Sequence, residues 1–142
     1  MNTSSPRGSS HDQAPRARIL IGAGAAFGLV LGATGAANAA PSDPIKTQGG
    51  YAQWNADPSG SIPGDSIRAC DNTADGWGIE AWLDINRDGT IDRIASTRGH
   101  NSPYCTSWKS GDIPEGTPVT VYAVTVNGGI VLEKGGALWS KA

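Results

Sequence analysis

The chain of 142 residues has few of the side chains that build catalytic and cofactor sites, with two cysteines, two histidines and one methionine. Only one histidine, His100, lies beyond the first 40 residues, and a single histidine without suitably spaced carboxylates does not form a zinc site. No glycine-rich phosphate-binding motif occurs, and no nucleophile elbow surrounds Ser102. The spacing of the acidic residues selects no pair for glycoside hydrolysis. Those acidic residues are Asp75, Glu80, Asp112 and Glu115. We therefore predict that the protein is not an enzyme.

A long hydrophobic segment is also missing. The most apolar segment, Ile19–Leu31, covers 13 residues, whereas a membrane-spanning helix needs about 20. Arg16 and Arg18 precede this run, and an Ala-Asn-Ala sequence ending at Ala39 follows it. This order is typical of a secretory signal peptide. We predict that residues 1–39 are a signal peptide and that the protein is secreted, extracellular and without a membrane anchor.

The rest of the chain has no excess of positive charge. Residues 40–142 contain eight Lys and Arg against twelve Asp and Glu, a net charge of −4. Nucleic acids and anionic membranes are bound through basic patches. We therefore expect neither as a partner. About one hundred residues correspond to a single domain.

Both cysteines, Cys70 and Cys105, lie in this exported part. In an oxidising compartment an even pair predicts one disulfide. The bond would close a loop of about 35 residues, for which the loss of chain entropy in the unfolded state gives about 3–4 kcal/mol of stabilisation.

No segment shows a helical period for more than two turns, whereas short apolar segments separated by Gly and Pro recur. The clearest strand, Thr117–Val126, is apolar on both faces. The following Asn127-Gly128-Gly129 predicts a hairpin to Ile130–Glu133, and Gly135-Gly136 predicts another turn. The other candidate strands are Ser66–Cys70, Gly78–Leu83 and Ile91–Thr97. We predict an all-β fold, a small disulfide-stapled β-sandwich or barrel-like domain over residues 65–142.

Residues 40–64 differ in composition, with several Pro, Gly and polar residues and no apolar period. This composition predicts an extended polar N-terminal arm. Tyr51 and Trp54 are its two large aromatic residues. They either pack back onto the domain or anchor the arm in a partner's groove, as Trp and Tyr often do at interfaces. The second alternative makes them candidate partner-binding residues.

One acidic segment, residues 84–92, has the pattern D-x-N-x-D-G-x-x-D. Calcium takes about six to eight oxygen ligands, and a tight curl at Gly89 would bring alternate side chains together. The twelfth position is Ala95 instead of the glutamate of an EF-hand. We predict a structural Ca²⁺ site, the alternative being a polar hairpin with an Asp-Gly turn. The predicted ligands are Asp84, Asn86, Asp88, the carbonyl of Thr90, and Asp92.

Five tryptophans are present: Trp54, Trp77, Trp82, Trp108 and Trp139. Their large side chains suit either a small core or a surface for sugar rings or a protein partner, and we expect two or three of them in the core. Alternation along the strand places Ile79 and Leu83 inward and Trp82 outward, on the same face as Glu80 and Asp84.

Two segments resemble a group of small secreted actinobacterial proteins. They are residues 64–78, GDSIRACDNTADGWG, and residues 96–108, STRGHNSPYCTSW. With the strand after Gly116 they cover most of the predicted domain. Members of this group often have a second cysteine pair near the final hairpin. Here that region contains Ala123 and Leu132 and no cysteine.

The resemblance extends to the adaptor subunit of umbrella toxin particles, which are secreted antibacterial assemblies. It implies a compact β-domain that joins a lectin-like subunit to a repeat-containing toxin subunit through an N-terminal extension. We therefore expect a non-enzymatic adaptor in an extracellular toxin complex. The alternatives are a protease inhibitor, acting through the loop Arg98–Tyr104 next to Cys105, and a carbohydrate-binding module.

Overall fold

The computed structural model describes residues 40–142, in which two antiparallel four-stranded sheets face each other. The strands are β1 (Ile45–Thr47), β2 (Gly50–Asn55), β3 (Ser66–Asp71), β4 (Gly78–Ile85), β5 (Arg93–Ser96), β6 (Tyr104–Cys105), β7 (Pro118–Asn127) and β8 (Ile130–Lys141). No helix occurs among these residues. The predicted all-β, sandwich-like fold is confirmed. The predicted signal peptide, residues 1–39, lies outside the described residues.

The first sheet has the strand order β1-β2-β3-β6. Cys70 of β3 lies directly opposite Cys105 of β6, and the two are joined by a disulfide. The predicted pairing is therefore confirmed. The bond fixes the two-residue strand β6 at the edge of the sheet, and it is compatible with an extracellular protein.

The second sheet has the order β5-β4-β7-β8. As predicted, β7 is buried on both faces: Val121 and Ala123 point toward the first sheet, and Thr120 and Val124 point away from it, all at most 1% exposed. Asn127 pairs with Ile130 across a two-residue turn, which confirms the predicted hairpin.

The hydrophobic core fills the space between the two sheets. Small and branched side chains dominate it because facing strands approach closely and bulky rings would separate them. Its buried members are Ile45, Ala52, Trp54, Ile67, Ala69, Ile79, Ala81, Leu83, Ala95, Ile113, Val119, Val121 and Ala123.

The predicted N-terminal arm is wrong for residues 45–55, which form β1 and β2. Ala52 is fully buried and Trp54 is 2% exposed, while Tyr51 and Gln53, which alternate with them, are half-buried. This alternation spans only one short strand, so the flanking Pro and Gly residues obscured it. The folded domain therefore begins about 20 residues before Asp65.

The predicted turn at Gly135-Gly136 is also wrong, because β8 continues through both glycines to Lys141. The register with β7 shifts there, which marks a β-bulge. A Cβ at Gly135 would lie 2.5 Å from the carbonyl oxygen of Lys46 in β1. The glycines therefore allow two backbones to approach closely, and they do not reverse the chain.

Candidate functional site

The second sheet has one face covered by the first sheet and one face that is not. We call the second face the outer face. Its large side chains come from four adjacent strands: Ile94 from β5, Trp82 from β4, Tyr122 from β7, and Val131, Lys134 and Trp139 from β8. Strand pairing places them together, since Trp82 lies opposite both Ile94 and Tyr122.

The outer face exposes unusually large apolar side chains. Trp139 is 71% exposed, and Ile94 and Val131 are each 40% exposed. Of the five exposed large hydrophobic side chains among residues 40–142, four belong to β8, which is the last strand of its sheet. Three of these five, Ile94, Val131 and Trp139, lie on the outer face. Exposed apolar groups gathered on one face mark interaction surfaces more often than isolated surface leucines do.

The central rings of this face have defined contacts. The Nζ of Lys134 lies 5.4 Å from the ring centre of Trp82 and 5.6 Å from that of Tyr122, within cation–π range of both. The indole Nε1 of Trp82 donates a hydrogen bond to Glu80 Oε2 at 2.7 Å. The other carboxylate oxygen of Glu80 lies 3.0 Å from Nε of Arg98. Trp82 is thus positioned by a polar network beneath it and a cation above it.

Sequence analysis predicted the outward orientation of Trp82 but missed the residues of β8. Glu80 and Asp84, expected on an exposed face, are on the outer side but only 5% and 2% exposed. The reason is that their carboxylates bond to neighbouring groups and are covered by them. The exposure of β8 depends on its place at the sheet edge, which no local pattern encodes.

The acidic segment forms the connection between β4 and β5. The two carboxylate oxygens of Asp84 accept hydrogen bonds from the backbone N–H groups of Asp88 and Gly89, each at 3.1 Å. Oδ2 of Asp92 accepts from the N–H of Ile85 at 2.7 Å. Asn86, Arg87 and Gly89 all have positive φ, which produces the tight curl that the sequence predicts.

The Asp88 carboxylate accepts a hydrogen bond from the backbone N–H of Thr90 at 2.8 Å, and this bond lowers the pKa of Asp88. Among residues 40–142, no three acidic, histidine or cysteine side chains lie close enough together to bind a metal ion. In this geometry the carboxylates of Asp84, Asp88 and Asp92 accept hydrogen bonds from backbone N–H groups of the same loop. Calcium binding by this loop stays a prediction.

The two aromatic residues proposed as partner anchors lie on opposite sides of β2. Trp54 is 2% exposed and belongs to the core, so its assignment as a partner anchor is wrong and the core alternative applies. Tyr51 is half-buried on the other side, with its hydroxyl 4.0 Å from Sγ of Cys105. Whether Tyr51 contacts a partner stays a prediction.

The other tryptophans line surfaces instead of the core. Trp77, Trp82 and Trp108 are half-buried and Trp139 is exposed, so the expectation of two or three core tryptophans is wrong. Trp108 packs against the guanidinium of Arg68, whose Cζ lies 4.7 Å from the ring centre.

A cleft of about 500 Å³ opens at one end of the second sheet. It lies between the connection that leads into β4, the loop after β5 and the tip of the β7–β8 hairpin. His100 and Ser102, considered above for chemistry, both line it. The ring of His100 stacks on Tyr104 with centres 3.9 Å apart.

No family model, curated protein or solved structure matches this chain. The part of the chain from residue 40 onward contains no apolar helix long enough to cross a membrane.

Proposed function

We propose that this chain is a secreted, non-enzymatic protein–protein interaction module that serves as an adaptor in an extracellular antibacterial toxin complex. The observation that carries the proposal is the outer face, where the 71% exposed Trp139 lies on the same surface as Trp82 and Tyr122. Tryptophan and tyrosine are the residues that most often dominate the binding energy of protein interfaces.

The energetics favour a protein partner for this face. A buried aromatic side chain removes roughly 150–250 Å² from water. Since Trp139 is 71% exposed, covering it at about 25 cal/mol per Å² gives roughly 3–4 kcal/mol. Trp82 and Tyr122 are already ordered by Lys134 and Glu80. Little side-chain entropy would therefore be lost when a partner covers them.

The adaptor role rests on the resemblance of residues 64–78 and 96–108 to secreted actinobacterial proteins, and on the predicted signal peptide. The proposed partners are a lectin-like subunit and a repeat-containing toxin subunit. An adaptor needs two contacts, and the outer face supplies one of them.

The positions of the acidic residues support a non-enzymatic role. Glu80 is 6% exposed at its side chain and paired with Arg98. Asp75 lies in the connection between β3 and β4, whereas Asp112 and Glu115 lie in the connection between β6 and β7. The four carboxylate candidates for hydrolysis thus belong to three separate segments of the domain.

The test is purification of the tagged full-length chain from the culture fluid of the cell that secretes it, with mass measured by light scattering and partners identified by mass spectrometry. We expect a complex containing a lectin-like and a repeat-containing polypeptide. Trp139→Ala should lose at least one partner. Trp108→Ala is the matched control, because Trp108 packs on Arg68 of the first sheet and lies away from the outer face.

A monomer without partners would contradict the adaptor proposal. A homodimer disrupted by Trp139→Ala would replace it with self-association. Equal partner recovery for both tryptophan variants would show that the outer face is not the contact.

Inhibition of a protease is a second candidate function, favoured by the loop between β5 and β6. Gly99, His100, Asn101 and Pro103 are exposed, and the loop ends at the disulfide through Cys105. A loop fixed in this way can occupy an active-site cleft at low entropic cost. A panel of secreted serine, cysteine and metalloproteases tests it, and no inhibition at micromolar concentration would reject it.

A further inference from the structure

We infer that the cleft at the end of the second sheet binds a neutral saccharide. The residues that line the cleft do not include Trp82, Tyr122 or Trp139, on which the adaptor proposal rests. Its volume of about 500 Å³ is within the usual range for small-ligand sites, roughly 300–1,000 Å³. One aromatic ring, Trp77, and a set of polar side chains line it.

The walls of the cleft are fixed by hydrogen bonds. Thr97 and Ile79 exchange two of them, from Thr97 N to Ile79 O at 3.0 Å and from Ile79 N to Thr97 Oγ1 at 2.8 Å. The N–H of His100 donates to the carbonyl oxygen of Thr97 at 3.2 Å. On the other side, the N–H of Trp77 donates to Asp75 Oδ1 at 2.9 Å. The cleft is therefore present before any ligand binds.

The polar side chains that line the cleft have free hydrogen-bonding capacity. Among residues 40–142, no hydrogen bond engages the side chains of Trp77, His100, Asn101, Ser102 and Asn127. Amides, hydroxyls and imidazoles both donate and accept. A sugar ring presents hydroxyls around its edge, which match these groups, and a C–H face, which packs on an indole ring.

Charge distinguishes a neutral sugar from an anionic ligand. Arg98 lines the cleft, but its Nε lies 3.0 Å from the carboxylate of Glu80, whose side chain is 6% exposed. This pairing compensates the positive charge, and the other N–H groups of the Arg98 side chain, which is 51% exposed, can donate hydrogen bonds to a ligand. The remaining lining residues include no Asp or Glu and no Lys. A nearly neutral site whose side chains both donate and accept hydrogen bonds favours hydroxyl groups, which also do both, over phosphate or carboxylate, which only accept.

The test is calorimetric titration of the disulfide-bonded domain, residues 40–142, with four neutral trisaccharides at millimolar concentration: chitotriose, cellotriose, maltotriose and mannotriose. Trigalacturonate serves as the anionic probe. We expect at least one neutral trisaccharide to bind, and to bind more tightly than trigalacturonate. Trp77→Ala should weaken that binding by about tenfold or more, whereas Trp77→Phe, which keeps a flat ring, should retain most of it.

Trp108→Ala is the matched control, since Trp108 packs on Arg68 of the first sheet and does not line the cleft, and it should bind the saccharide as the unmodified protein does. The proposal is overturned if no neutral trisaccharide binds, if only trigalacturonate binds, or if Trp77→Ala binds as tightly as the unmodified domain. Retained folding of each variant is checked by its urea unfolding midpoint. If Trp77→Ala does not fold, Asn101→Ala takes its place, and unchanged affinity in that variant would equally overturn the proposal.

Discussion

The two sheets of this domain are stabilised in different ways. The first has strands of two to six residues, and its edge strand β6 is attached by a disulfide. The second contains strands of eight, ten and twelve residues in β4, β7 and β8, and β7 is buried on both faces. A sheet with enough buried strand length needs no covalent link, and its edge strand is then free to expose apolar groups.

Among the changes that test this difference between the sheets, removal of the disulfide should have the largest effect on stability. Cys70→Ser combined with Cys105→Ser should lower the free energy of unfolding by about 3–4 kcal/mol, a large part of the roughly 5–15 kcal/mol typical of a small domain. Denaturant unfolding measures the change. A loss below about 1 kcal/mol would mean that packing alone stabilises the first sheet, and the contrast between the sheets would disappear.

Calcium binding would remove this contrast between the sheets, because the ion would give the second sheet an additional link between β4 and β5. If the predicted site binds, a chelator should lower the melting temperature and calcium should restore it. The expected stabilisation is about 2.7 kcal/mol at a free calcium concentration one hundred times Kd. Asp88→Ala should abolish the response and leave the Cys70–Cys105 bond intact. Identical melting curves with and without chelator would favour the plain hairpin.

Substitution of two valines, one on each of the paired strands β7 and β8, tests the difference between a buried and an exposed strand. Val121 in β7 is fully buried, whereas Val131 in β8 is 40% exposed. Val121→Ala should cost about 2 kcal/mol through lost transfer energy and a residual cavity. Val131→Ala should cost less than about 0.5 kcal/mol. Thermal or urea unfolding compares them, and similar losses would mean that Val131 is packed as tightly as Val121.

The smallest effect concerns pH. The bond from Thr90 N–H lowers the folded-state pKa of Asp88, so the charged carboxylate stabilises the folded loop. That contribution is present above the unfolded pKa of about 3.9 and is lost as pH falls through the lower folded value. The stability difference between the unmodified protein and Asp88→Ala, measured in chelator, should therefore shrink in acid. A difference that grows toward low pH would contradict this assignment.

The parts of the fold that the sequence predicted are those with local signals. Thr117–Val126 is a long β-branched run, and Asn127 begins a hairpin with two residues of positive φ at Gly128 and Gly129. The strand β2 escaped prediction because its alternation covers a single short segment between glycines and prolines. The bulge at Gly135 looked like a turn, since a close approach to β1 and a chain reversal both call for glycine.

The candidate sites are formed by residues that the strand order brings together, more than by any continuous sequence motif. Alternation gave the orientation of Trp82, but the exposure of Trp139 follows from β8 being the last strand of its sheet. The cleft at the end of the second sheet combines Trp77, Arg98 and Asn127 from three separate segments. No single segment contains enough of the cleft to suggest it.

The two register shifts in β8 have a consequence for solubility. An unpaired, apolar edge strand of twelve residues is a template on which further copies could add and grow into fibres. In β8 the shifts leave the stretch from Ala137 to Lys141 as its longest unbroken ladder with β7. Because bulges twist an edge away from flat pairing, the shifts in β8 hinder the addition of further copies to this edge. Replacement of Gly135 and Gly136 by residues with larger side chains would weaken this protection against fibre growth.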